Sequence, residues 1–99
     1  MVRHVIIWSL KSDMTPDEKN SAMAKIKEGL EGLIDKIDGL VEISVSTNPL
    51  PSSNGDLMLD SLFVDEEALA GYQQNPDHLS VAQFVRSVAE TRKCFDYVI

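Results

Sequence analysis

Apolar residues recur along this chain with two different periods, and the order of those periods predicts its elements. Side chains alternate across a strand, and they return every three or four positions on one face of a helix. Val2 to Leu10 has the period of a strand. Val2, His4, Ile6, Trp8 and Leu10 share one face, and Arg3, Val5, Ile7 and Ser9 share the other. Both faces carry apolar residues, so one layer of helices is not enough and Val5 and Ile7 need a second cover. Thr15-Pro16-Asp17-Glu18 is a helix start: Thr15 caps, Pro16 fits the first helical position, and Glu18 completes a capping box. Ala22, Met23, Ile26, Leu30, Leu33, Ile34 and Ile37 then follow the helical period. Lys19, Lys25, Glu28, Glu31 and Asp35 fall largely outside that stripe, and Gly39 supplies the stop.

Beyond Gly39, Val41, Ile43 and Val45 alternate with Glu42, Ser44 and Ser46 as a half-buried strand. Asn48 to Asp56, with two prolines, two serines and Asn54-Gly55, reads as a loop longer than a hairpin turn. Leu57 to Val64 is a third strand. Asp65-Glu66-Glu67 opens a short helix with Ala68, Leu69 and Tyr72 on one face. Pro76 breaks that helix and starts another, in which His78, Val81, Ala82, Val85, Val88 and Ala89 share a face. Lys93 to Ile99 is the last strand. No short internal repeat and no low-complexity segment interrupts the order. Strand, helix, strand, strand, helix pair, strand is the split βαβ order of an α+β ferredoxin-like fold. It implies a four-stranded antiparallel sheet with its helices on one face. The uncovered face, with Val5 and Ile7, predicts a homodimer through the sheet faces, two-fold symmetry being the commonest solution.

Composition narrows the function. Ninety-nine residues with 43% apolar content make one domain, residues 1–99, small enough to gain from a partner subunit. The net charge of −7 argues against nucleic acid and against anionic membranes. No apolar run approaches the roughly 20 residues of a membrane span. Met-Val-Arg-His enters the first strand directly, without signal-peptide organisation, so the expected location is cytoplasmic. Cys94 is the only cysteine, which excludes an internal disulfide and a multi-cysteine zinc site.

The candidate chemistry lies in Tyr72-Gln-Gln-Asn-Pro76-Asp-His78, two proton-handling side chains on either side of a helix break. His78, on an apolar face, titrates near neutral pH and suits a general base; Tyr72 suits a proton donor to an oxyanion. The structural alternatives are a buried neutral histidine and a core tyrosine whose hydroxyl reaches a backbone carbonyl. His4 shares its face with Ile6 and Trp8, so all three are expected around a cavity with Met23, Tyr72 and His78. Asp96 either orients His78 or pairs with Arg92, Lys93 or a helix terminus. Cys94 is expected as a small buried apolar residue, not a nucleophile. No metal-ligand spacing, phosphate loop or nucleotide fingerprint is present, and no cofactor is expected.

These residues resemble the stress-responsive A/B barrel (Dabb) family of dimeric α/β-barrel proteins. The matching features are Arg3-His4-Val5, Leu10-Lys11, Thr15 with Glu18, and Phe63 before Asp65. The spacing of Tyr72, Pro76 and His78 follows, then Phe84-Val85 and Phe95-Asp96-Tyr97. The resemblance runs nearly end to end. It implies a dimer whose two sheets form a barrel, with a cavity between each sheet and its own helices. A polyketide-cyclising branch of the family resembles the chain at Tyr72 and His78, its acid–base pair, and at His4 in the same pocket. The chain departs from that branch at Ala22, Met23 and Ile26, where bulkier aromatics stand, and at Trp8, where a leucine stands. Relatives of the same barrel include cofactor-independent monooxygenases. The functions left open are a dimeric protein with a cavity for a small apolar or carbonyl-containing ligand, a cofactor-free cyclase, a monooxygenase, and an oligomerising stress protein with a closed core.

Overall fold

A computed structural model describes all residues, Met1 to Ile99. The element order is β1 (Val2–Leu10), α1 (Pro16–Glu31), a 3₁₀ turn (Gly32–Asp35), β2 (Leu40–Ser46), β3 (Leu57–Phe63), α2 (Glu66–Gln74), α3 (Pro76–Val88) and β4 (Ala89–Val98). The strands lie in the order β2-β3-β1-β4, each antiparallel to its neighbour. This is the ferredoxin-like α+β architecture that the element order predicts.

The local signals act where the residue types place them. Thr15 Oγ1 accepts from the Glu18 N–H at 3.1 Å, and Glu18 Oε1 accepts from the Thr15 N–H at 2.8 Å, closing the capping box of α1. Gly39 has φ +82°, and a Cβ there would lie 2.5 Å from the Ala68 Cβ, so no other residue makes this turn without strain. Asp65 caps α2 by accepting from the Ala68 N–H at 2.8 Å. Asn75 ends α2 and caps α3, its side chain accepting from the Asp77 N–H at 2.9 Å.

Val2, Ile6, Trp8 and Leu10 of β1 are buried with Leu57, Leu59 and Phe63 of β3 against Ala22, Ile26 and Leu30 of α1, Leu69 and Tyr72 of α2, and Val85 of α3. All three helices therefore cover one sheet face. The other face is open: Ile7 is 42% exposed, Phe95 68% and Tyr97 42%. The loop after β2 overhangs one end of that face. Asp56 anchors it, its N–H donating to the Trp8 carbonyl and its carboxylate accepting from the Leu10 N–H.

Three expected details change. The long helical stripe of α1 ends at Glu31 and tightens into the 3₁₀ turn, which still buries Leu33, and Ile37 is buried just beyond it. In β2 the register shifts between Leu40 and Glu42, so Leu40 is buried and Val41 is exposed, against the expected alternation. β4 begins at Ala89, four residues earlier than expected. Its opening Glu90-Thr91-Arg92 is polar, and an edge strand needs only backbone pairing to β1 to form.

Candidate functional site

The site is built at the α2–α3 joint. The Asn75 N–H donates to the Tyr72 carbonyl at 3.1 Å and Pro76 begins the next helix, which places Tyr72 near one helix end and His78 in the first turn of the other. Their ring centroids are 4.0 Å apart, with planes inclined by 37°. Both rings line a cavity of about 320 Å³ between the sheet and the helices. Its apolar wall is Ile6 and Trp8 of β1, Leu59 of β3, Leu30 of α1, and Ala82 and Val85 of α3; Arg86 and Arg92 complete it. A larger hollow of about 660 Å³ lies between the loop after β2 and the open sheet face, but neither histidine and neither tyrosine lines it. The residues of the candidate site line the smaller cavity.

Tyr72 Oη and His78 Nδ1 are the two buried side-chain polar atoms that no hydrogen bond satisfies. Buried polar groups are nearly always paired, because an unpaired one costs about 1–3 kcal/mol. Here both belong to residues that line the same cavity. Burial raises the Tyr72 phenol well above its ordinary range, so it keeps its proton. Burial lowers the His78 imidazole, the Gln73 backbone opposes this, and the positive fields of His4, Arg86 and Arg92 lower it further. A neutral base beside a protonated donor is the charge state that general acid–base work at neutral pH requires.

Of the residues expected around the cavity, Ile6, Trp8, Tyr72 and His78 line it. His4 does not. It is 1% exposed, its ring meets those of Tyr72 and Phe63 edge-on at 6.2 and 6.4 Å, and its Nδ1 is hydrogen-bonded to Asp96 Oδ1. Met23 packs against the core outside the lining. Asp96 was expected to orient His78 or to pair with a neighbouring cation; it pairs with His4, because the antiparallel register sets those two residues directly opposite. Cys94 is exposed, contrary to expectation, because β4 is an edge strand that the helices do not cover. Its thiol donates to Asp96 Oδ1 at 3.4 Å, and partial burial with that contact raises its pKa.

His4, Cys94 and Asp96 also form a grouping of metal-ligating atoms, all within 4.8 Å of one another. No sequence motif announces it, since its members come together only through the β1–β4 register. The His4–Asp96 bond occupies two of the three ligand atoms. Arg86 and Arg92 are the charged lining residues that sequence reasoning missed, alongside the apolar Leu30 and Leu59. Arg86 was legible, standing eight positions after His78 on the same helical face. Arg92 was not, because its place depends on the pairing of Trp8 with Arg92 in a strand that starts early.

A four-stranded antiparallel sheet covered by helices on one face only, with a cavity beneath those helices, defines a ferredoxin-like α+β domain. The chain belongs to the stress responsive A/B barrel domain family, which matches it over residues 2–99. Solved structures with this fold include a dimeric ferredoxin-like protein of unknown function from Bacteroides fragilis. It is 28% identical with a TM-score of 0.93, over 99% of this chain and 95% of that one. A Dabb family protein from Mesorhizobium loti is 22% identical with a TM-score of 0.72, over 99% and 95% of the two chains. A hydroxynitrile lyase from Passiflora edulis is 18% identical with a TM-score of 0.75, over 99% and 92%. No curated protein matches the chain in sequence. No helix is long and apolar enough to cross a membrane.

Proposed function

We propose that the chain acts as a homodimer joined through its open sheet faces, in which each subunit holds a small carbonyl compound and moves a proton at its α-carbon without a cofactor. The observation that carries this is that Tyr72 and His78, whose Oη and Nδ1 are buried and unpaired, line one largely apolar cavity together. A carbonyl oxygen and an acidic C–H are the partners such a pair lacks. The volume falls at the small end of ligand pockets, about 300–1,000 Å³. Ile6 and Trp8 hold the apolar part of the compound. His78 Nδ1 takes the α-proton, the electron pair of the C–H bond moves onto the carbonyl oxygen, and the Tyr72 hydroxyl donates a hydrogen bond to the enolate. The proton then returns to carbon, or the enolate attacks a second carbonyl of the same molecule and closes a ring. His4, held by Asp96, braces the Tyr72 ring, and Met23 acts only through the core it packs on. The exposed Ile7, Phe95 and Tyr97, and the dimeric state of the Bacteroides fragilis relative, support the assembly.

The test is deuterium incorporation from D₂O into the benzylic α-carbon of 1-phenylpropan-2-one, followed by NMR. Exchange faster than in matched buffer is expected. Exchange at the buffer rate, with no protection of the cavity by the ketone, overturns the acid–base reading. Sedimentation tests the assembly: a native dimer is expected, with Ile7→Lys giving monomer or aggregate, and a native monomer sinks it.

A further inference from the structure

Arg86 and Arg92 are the two cations on a cavity wall that is otherwise apolar apart from Tyr72 and His78. They reach it from different elements. Arg86 lies in the last turn of α3, eight residues after His78, and Arg92 lies on β4 opposite Trp8. Both are exposed residues that line the cavity, so they stand where it opens to solvent. The Arg3 guanidinium, by contrast, is taken by Asp60 at 2.7 Å. Neither Arg86 nor Arg92 is in an ion pair. The end of a helix favours a cation, which accounts for Arg86 alone. It does not account for Arg92, whose neighbour across the strands is an indole.

Resting on the reading of the Tyr72–His78 cavity as a carbonyl site, we propose that Arg86 and Arg92 form an anion subsite at its mouth. The ligand is then an amphipathic keto acid: an apolar body against Ile6, Trp8 and Leu59, a ketone at Tyr72 and His78, and a carboxylate at the two guanidinia. A planar guanidinium matches a carboxylate with two parallel N–H donors, and two of them fix the orientation of the whole molecule.

Trp8, the only tryptophan, lines the cavity and reports occupancy by its fluorescence. The probes are 4-oxo-4-phenylbutanoate and its methyl ester, equal in ring and ketone and different in charge. The wild-type protein is expected to bind the acid about tenfold more tightly than the ester, the scale of one charge-assisted hydrogen bond. Arg86→Gln and Arg92→Gln should each weaken the acid and leave the ester unchanged, and added salt should weaken the acid alone. Equal affinity for acid and ester in the wild type overturns the anion subsite and leaves the carbonyl site standing. So does an equal loss for both compounds in the arginine variants. Binding of neither compound overturns the carbonyl site, and the subsite with it.

Discussion

The two histidines occupy neighbouring regions of one interior, on either side of the Tyr72 ring. His4 sits on the central strand, 1% exposed, hydrogen-bonded to Asp96 and edge-on to the Tyr72 ring at 6.2 Å. His78 sits at the helix joint, its ring 4.0 Å from that of Tyr72, with its buried Nδ1 unpaired. The sequence treats them alike, as histidines on apolar faces. The structure separates them by what their nitrogens meet. A buried nitrogen with a fixed partner contributes to stability and positioning. One without a partner, facing a cavity, is available to a ligand.

The sharpest break of this comparison is His78→Ala. In the deuterium-exchange assay it should slow turnover about 10²–10⁴-fold, the usual share of a general base. Stability should change by less than about 1 kcal/mol in denaturant unfolding, since the ring is only half-buried and its Nδ1 has no partner to lose. A stability loss above about 2 kcal/mol, with no ligand protecting the pocket, makes His78 a structural residue instead.

His4→Ala should do the reverse. It removes a fully buried ring and leaves Asp96 without its partner, so stability should fall by about 2–3 kcal/mol. Exchange should fall less than tenfold, through looser packing of Tyr72. If exchange is lost while unfolding is unchanged, the roles of the two histidines are exchanged.

Tyr72→Phe sharpens the comparison from the shared neighbour. The packing ring stays and only the proton donor goes, so exchange should slow about 10²-fold. Stability should rise by about 1 kcal/mol, because an unpaired buried hydroxyl is removed. A loss of stability would mean that the hydroxyl has a partner in solution.

The smallest effect is the pH dependence. His78 is held below the usual histidine value near 6.5, chiefly by burial, so as pH falls the unfolded chain binds its proton first. Stability from this source is complete above about pH 6.5 and is lost as pH falls through the lower, folded value. Exchange falls over the same acid limb, as the base becomes protonated. His78→Ala should flatten the stability slope in urea titrations between neutral and mildly acidic pH, and a slope unchanged in that variant rules out His78 as its source.

Asp96 shows where sequence reading stops. Its residue type suggested a partner for a histidine, and it has one, but the other histidine. Positions 4 and 96 meet through a register of backbone bonds to which their side chains contribute no pattern. Arg92 and the early start of β4 were hidden for the same reason. Val41 was misplaced because a bulge inverts the alternation locally and leaves no trace in residue type. Tyr72 and His78 were legible because Pro76 and the spacing of three and four fix their direction within a few residues.

What the sequence determined by itself was local. Caps, breaks and apolar periods set the order of strands and helices, the covered and open faces of the sheet, and the inward direction of Tyr72 and His78, because each depends on backbone geometry over a turn or two. Only the tertiary structure decided which groups remain unpaired. Whether a buried nitrogen has a partner, and whether an arginine has a carboxylate, depends on contacts between residues such as 4 and 96 or 8 and 92, which chain connectivity holds far apart and only the folded sheet brings together.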